Sequence, residues 1–372
     1  MRIRRIVMTA AALALLVAAG AALQDRRFEV PITLFYDEQD LSGAVVSRLA
    51  LQSVVLAMEY FNSLPSGHMF VPSRESDLNV YDAIDRAVER GSAAVVGGIN
   101  APFSSLLADA ARRRGIPFIS LASGPLLQRA DDLVFRPRPD NGARVLGRAA
   151  REAGVTSYSV IATGFYANHT QSFAHGFGSA FGASPVGTTL LAGDLKKHMD
   201  EFDKISLRAD AALLILPDWL AAVTVRELRL RRPDMPIYAS DWAVSHRTPL
   251  LAGELGEGML TASCTAPEWD DPDLGFPAFV RRTYTAHIPR MILAMGYDTV
   301  AMLDEAVRRA GSADPKAVAA ALKELDSVTT VGGPVPVDEN GDMRAKPRLF
   351  SMKSGRWERI EAGSEEGAGD GR

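Results

Sequence analysis

The run AAVVGG at residues 93–98 contains no polar position, whereas Ser104 to Arg114 repeats apolar side chains at helical intervals through Leu107, Ala108 and Ala111. An apolar run without alternation fits a parallel strand covered on both faces, and the second pattern fits a helix with one buried stripe. Gly115 stops that helix, and Ile116 to Ser120 opens a second buried strand. The strand ends, Gly98-Ile99-Asn100 and Ser120 to Gly124, are therefore expected side by side at the carboxyl edge of one sheet. That is the edge at which open α/β sheets bind ligands.

The same alternation extends in both directions. Val30 to Tyr36 predicts a first strand, Asp37 to Gly43 a loop, Val45 to Phe61 a long helix and Met69 to Pro72 a short strand. Asn79 to Arg90 reads as an amphipathic helix with Val80, Ile84, Ala87 and Val88 inward. The corner Arg136-Pro137-Arg138-Pro139-Asp140 ends one element, starts a helix at Asp140 or Asn141, and marks a first crossing between domains. A second series follows, with strands at 158–162, 187–191, 211–216 and 237–239 and helices at 168–181 and 220–231. Beyond Gly258 come one strand, three helices (275–286, 294–310 and 314–325) and a small β region to Ile360. The fold class is α/β, with two lobes of one architecture.

Charge and composition narrow the function. Arg2, Arg4 and Arg5 precede an apolar run from Ile6 to Leu23, which predicts a secretory signal at residues 1–22 cut before Leu23, with an uncleaved membrane anchor as the rival. The whole chain has 41 basic and 45 acidic side chains, and loss of the signal leaves 38 against 45. An acidic protein lacks the basic face that nucleic acid requires. Cys264 is the sole cysteine, so an intramolecular disulfide and a thiolate-rich zinc site are both excluded; the residue itself reads as small and buried. The tail 361–372 has almost nothing apolar to bury and is expected to be disordered.

Several blocks, in order and spacing, resemble the type I periplasmic substrate-binding proteins, specifically the branched-chain amino-acid (Leu/Ile/Val) binding family that serves ABC importers. They are Ser42-Gly43, VVGG with its following loop at Val95 to Ser105, GIPFIS at Gly115 to Ser120, Phe165-Tyr166-Ala167, GELGEGML at Gly253 to Leu260, and VDENGDM at Val337 to Met343. The resemblance implies a bilobal fold, two Rossmann-like lobes joined by a three-segment hinge, closing over a ligand. It places lobe I at 28–139 plus 265–333 and lobe II at 140–264 plus 334–360. It also implies a periplasmic location, a monomer, an inner-membrane ABC permease as partner, no cofactor and no metal.

Carried over by position, the first-lobe ligand loops fall on Asn100, Ala101, Phe103 and Ser104 and on Ala122 and Ser123, where the family resembles a trap for an α-carboxylate. The second-lobe contacts fall on Tyr166, Asp218 and Asp241, with Asp241 matching the acid that faces the ligand's ammonium. A buried zwitterion requires such partners, because an unpaired buried charge is very costly. One departure matters: Ala101-Pro102-Phe103-Ser104 stands where amino-acid-binding relatives have serines, so Phe103 is expected to add an apolar wall. The basic loop Arg136 to Arg144 reads as solvated charge, and His169 and His175 as two surface histidines.

Enzymatic readings do poorly. Tyr36 is followed by Asp37-Glu38-Gln39-Asp40 instead of a GxGxxG turn, and the chain has no GxSxG elbow and no HExxH pair. The function expected is therefore extracytoplasmic binding of an amino acid or related small polar or carboxylate solute. A ligand-sensing regulatory module of the same fold is the alternative.

Overall fold

The computed structural model describes residues 27–37, 41–76, 79–99, 101–122, 133–138, 142–164, 167–192, 198–265, 275–285 and 288–360. The signal segment, the tail from Glu361, Asn100, Ser123 and Tyr166 lie outside them.

The first sheet is parallel, ordered β2-β1-β3-β4-β5, and takes β1 (Phe28–Phe35), β2 (His68–Glu75), β3 (Ala94–Gly97), β4 (Phe118–Ser120) and β5 (Val134–Phe135). Strand alternation divides its side chains between two cores. Val30, Ile32 and Leu34 enter one, with α1 (Leu41–Ser63); Phe35, Val95 and Phe118 enter the other, with α2 (Val80–Glu89) and α3 (Ala101–Arg114). Asn79 caps α2 by accepting a hydrogen bond from the Tyr81 N–H at 3.2 Å.

The second sheet repeats this winding. After α4 (Ala143–Glu152) come β6 (Tyr158–Thr163), α5 (Ala167–Phe181), β7 (Gly187–Leu191), α6 (Met199–Arg208), β8 (Ala211–Ile215), α7 (Asp218–Arg231), β9 (Ile237–Ala239), α8 (Arg247–Ala252) and β10 (Leu260–Ser263). Its parallel strands run β7-β6-β8-β9-β10. Each sheet thus reverses its strand order once, between β1 and β3 and between β6 and β8. Such switch points open a crevice at the carboxyl edge.

The chain then returns to the first core through α9 (Gly275–Thr283), α10 (Arg290–Ala310), α11 (Pro315–Lys323) and the hairpin of β11 (Ser327–Thr330) with β12 (Gly333–Pro336). It ends with β13 (Arg348–Lys353) and β14 (Arg356–Arg359), antiparallel at the edge of the second sheet. Three passages therefore link the halves, and in the third Val335 and Met343 are still buried in the first core. Helices α1 and α10 pack closely: a Cβ on Gly296 would meet the Ser53 carbonyl carbon at 2.5 Å. The Ser53 hydroxyl stands within hydrogen-bond reach of the Ala50 and Ile292 carbonyls, at 2.6 and 2.9 Å.

The architecture is the expected α/β one, with differences that have local causes. Helices α6 and α8 escape the hydrophobic pattern, α8 because it has six residues and α6 because, among its described side chains, Phe202 and Ile205 alone are buried. Helix α3 begins at Ala101, three residues before the expected start, with Pro102 in its first turn, where a missing N–H is no loss.

Candidate functional site

Gly98, just beyond β3, adopts φ +64°, and a Cβ there would lie 2.4 Å from Ser104 Oγ. This tight turn lets the Ser104 hydroxyl reach the Gly98 carbonyl, at 2.6 Å, and Ser120 Oγ, at 2.8 Å. Ser120 Oγ accepts in turn from the Ala122 N–H at 3.3 Å. Ser104 and Ala122 are therefore brought together as expected, but the Ser104 side chain is fully buried and braces the two strand ends against each other.

Phe103 departs from its expected role. The early start of α3 puts Phe103, Leu107, Ala110 and Ala111 on one stripe, and the ring packs 5.5 Å from Phe35 in the core beneath the sheet. It is a core residue, not an apolar wall of a cleft. Ala101 becomes the first residue of α3, whose first turn has no acidic residue and whose last turn has Arg112, Arg113 and Arg114. A helix end of this polarity favours an anion at its N-terminus.

On the second sheet, Asp218 opens α7 and is already committed. Its carboxylate accepts from the Trp219 N–H and from the Ser245 hydroxyl, each at 2.8 Å, and its fractional exposure is 3%. It ties α7 to the segment that leads into α8. Asp241 begins the 3-10 turn Asp241–Ala243 just past β9 and is 6% exposed, and that turn meets α10 of the first half. It also adds to the negative field that holds the Arg138 guanidinium charged.

His169 was expected on the surface, and the structure corrects this. On α5, His169, Phe173 and Phe177 recur every four residues, and the two phenylalanines are buried in the core. The imidazole lies flat on the Trp242 indole, with ring centroids 4.3 Å apart and planes 1° apart. Burial pushes its pKa down to about 4, so it is neutral at pH 7. His175, two turns from the end of the same helix, is exposed as expected. The signal for His169 was available in the sequence, as a stripe that includes histidine; the paired residue at 242 was not.

In the basic loop Arg144 is exposed as expected, but Arg136 and Arg138 are buried and paired, not solvated. Arg136 donates from its backbone N–H and from Nε to the two oxygens of Asp342, each at 2.9 Å, and the Met343 N–H returns a bond to Arg136 O at 3.0 Å. Arg138 donates to Asp298 Oδ2 at 2.8 Å and to Thr265 Oγ1 at 2.9 Å, while Asp298 Oδ1 accepts from the Val331 N–H at 3.2 Å. Burial opposes the charge on Arg138, but the groups around it, Asp298 first among them, together outweigh that and raise its pKa. The VDENGDM turn now has a reason: Asp338 accepts from the Asn340 and Asp342 N–H groups, each at 2.9 Å, and so presents Asp342 to Arg136. The first passage is thus tied to the third by the buried Arg136–Asp342 ion pair, to the second by the hydrogen bond from Arg138 to Thr265, and to α10 by the Arg138–Asp298 ion pair.

Among the described residues, no cluster of three or more His, Cys, Asp or Glu is arranged to hold a metal ion, and no helix is long and apolar enough to cross a membrane. The chemistry on offer is recognition: a helix N-terminus with braced loops on one edge, an acid and a flat aromatic pair on the other.

Comparison with known proteins agrees with this geometry. Residues 79–356 match the family model described as periplasmic binding protein. A Leu/Ile/Val-binding protein homolog 1 of Brucella suis is 29% identical over 140 residues, 37% of this chain and 36% of that protein, so the match spans about a third of the relative's length. Among solved structures, a solute-binding protein of an ABC transporter from R. palustris in complex with benzoate superposes with a TM-score of 0.68 at 18% identity, covering 90% of this chain and 95% of the other. The branched-chain amino acid transporter substrate-binding protein of Streptococcus pneumoniae in complex with isoleucine gives 0.66 at 15% identity, covering 90% and 99%. These relatives are solute-binding proteins and not enzymes. With two similarly wound sheets, three tied passages and a family match over most of its length, the chain belongs to the periplasmic binding protein family.

Proposed function

We propose that the protein is the extracytoplasmic solute-binding component of an ABC importer, taking up an amino acid or related small carboxylate solute between the carboxyl edges of its two sheets and delivering it to an inner-membrane permease. The observation that carries this reading is the pairing of unlike edges. The first offers the N-terminus of α3, free of acidic residues in its first turn, and the second offers the buried Asp241. A zwitterion needs both an anion site and a cation site when it leaves water.

In this reading the ligand contacts include Asn100, Ala101, Ala122, Ser123, Tyr166 and Asp241, with Ser104 and Asp218 holding their loops. The lobes divide near 139/140 and 264/265, and the third boundary follows Met343 in view of its burial with the first core. Residues 1–22 direct export, and the mature protein acts as a monomer.

The test is a thermal-shift screen of the mature protein against amino acids, amides and aromatic and aliphatic carboxylates. A solute bound only by the native state raises the melting temperature by mass action, by an amount that grows with concentration. No shift with any of these classes would overturn the reading. Loss of uptake of the same solute on gene deletion supports delivery over sensing.

A further inference from the structure

Helix α4 buries Ala143, Leu146, Gly147 and Ala150 and turns Arg144, Arg148 and Arg151 to solvent. These three positions lie about one turn apart, so their side chains form a row roughly 10 Å long. The row starts at the carboxyl end of β10, where a Cβ on Gly142 would lie 2.7 Å from the Ala262 carbonyl oxygen. It ends at the amino edge of the sheet, the edge to which antiparallel β13 carries Lys353. Leu349 of β13 packs with the core under α4, so by alternation Lys353 and its cross-strand partner Arg356 belong to the same face.

These cations are left uncompensated. Among the described residues, the side chains of Arg144, Arg148, Arg151 and Lys353 have no hydrogen-bond or ion-pair partner. Elsewhere Arg112 and Arg113 of α3, Arg231 of α7 and Arg308 of α10 each pair with a carboxylate three or four residues away. The acids of α4, α5 and the β13–β14 hairpin are Glu152 and Glu358, and Arg356 takes the second at 2.8 Å. Helix α4 gains no stability from its row, because neighbouring like charges repel and Arg144 stands in the first turn, at the positive end of the helix dipole.

Such a row suits an anionic partner, and the rest of the face tells which kind. Protein interfaces keep an apolar, aromatic centre. Among the described residues, no exposed large apolar side chain lies on α4, α5 or the hairpin. A partner meeting this face is therefore read by charge alone, as a layer of lipid headgroups is, where each basic side chain near the surface adds to the attraction. The mature chain, with 38 basic against 45 acidic side chains, is repelled by that layer as a whole, so a local attraction also orients it.

We propose that the outer face of α4 docks lobe II on an anionic lipid surface, with Arg144, Arg148 and Arg151 against headgroup phosphates and Lys353 and Arg356 beside them. Lobe I is then free to move over the crevice. This goes beyond the proposed function and rests on it only for a place at a membrane; it requires no solute.

Co-sedimentation of the mature protein with phosphatidylcholine vesicles, with and without about 30% phosphatidylglycerol, tests this. Wild type is expected to bind the anionic vesicles alone and to lose that binding as NaCl rises from about 0.05 to about 0.3 M. Joint replacement Arg144→Gln, Arg148→Gln and Arg151→Gln should weaken binding at least about ten-fold, whereas Lys at all three positions should stay within about three-fold, since a headgroup layer reads charge and not guanidinium shape. A charge-matched control on lobe I, Arg282→Gln with Lys316→Gln and Lys323→Gln, should bind as wild type does. The melting temperature of the α4 glutamine variant should not fall, because the groups removed are exposed. No binding to anionic vesicles at low salt, equal binding to neutral ones, wild-type binding by the α4 glutamine variant, or an equal loss in the control would each overturn the inference and leave the proposed function standing. Absent vesicle binding together with solute uptake lost in the α4 glutamine variant would assign the row to an acidic protein surface and overturn the lipid reading. A mature protein that binds vesicles as expected but no amino acid or carboxylate overturns the proposed function alone.

Discussion

Asp241 sits within the turn that meets α10, 6% exposed, and on the proposed reading it pairs with the ammonium of the solute. Asp241→Asn preserves shape and removes the charge, so affinity for the amino acid found in the screen should fall by about 2–5 kcal/mol, roughly 30- to several-thousand-fold. Calorimetry reads this directly, and wild-type affinity in the variant would exclude an ammonium at this position. Gly98→Ala has a different signature. It forces a Cβ at φ +64° to within 2.4 Å of Ser104 Oγ, so it should both destabilise the protein by roughly 1–3 kcal/mol and weaken ligand binding by displacing the braced loop. Urea unfolding separates the two effects, and an unchanged midpoint would show that the turn relaxes freely. His169 makes stability depend on pH. Its imidazole takes up a proton at the ordinary 6.5 when the chain is unfolded but only at about 4 when folded. Between those values the unfolded state binds more protons, so stability falls as pH is lowered through that window and the loss levels off below it. The full contribution is at most roughly 3 kcal/mol. Urea midpoints measured from about pH 4 to pH 7 should therefore vary less in His169→Leu than in wild type; equal slopes would mean that the ring is solvated.

At the level of elements, the strands and long helices follow from hydrophobic period alone, because a buried strand and an amphipathic helix each carry their own local pattern. Period does not reveal what lies across a gap in sequence. Arg136 and Arg138 look like exposed charge in a Pro-rich corner, yet their partners, Asp342 and Asp298, stand 206 and 160 residues away. Nothing local announces such pairs. Both members of the second are almost fully buried, with side-chain exposures of 9% and 3%. Asp298→Ala therefore leaves a guanidinium desolvated and unpaired, and the expected loss is about 3–5 kcal/mol in chemical denaturation. The double replacement Arg138→Met with Asp298→Leu should recover much of it, since a well-packed apolar pair avoids the desolvation cost altogether. If the single variant is as stable as wild type, water reaches the pair and the passage is looser than its geometry indicates.

For the whole molecule, the ion pairs at the passages and the helix α10 contact of the Asp241 turn define how the halves meet. The proposed closure over solute should reduce the radius of gyration in solution scattering at saturating amino acid, with each lobe keeping its own fold; an unchanged radius would place binding outside the crevice. By itself the sequence determined the α/β class, the repetition of one winding in two lobes and the two strand ends at residues 98 and 120, because these rest on local period and on punctuation by glycine and proline. Asp241 as a ligand contact comes from the family resemblance and belongs to the proposal. Only the tertiary structure decided that Phe103 is core, that Ser104 and Asp218 are braces, that the arginines of the corner are paired, and that His169 lies on Trp242. The physical reason is common to all four. Burial and hydrogen-bond partnership are relations between residues distant in the chain, and a side chain's role at a sheet edge depends on which neighbour the fold delivers to it.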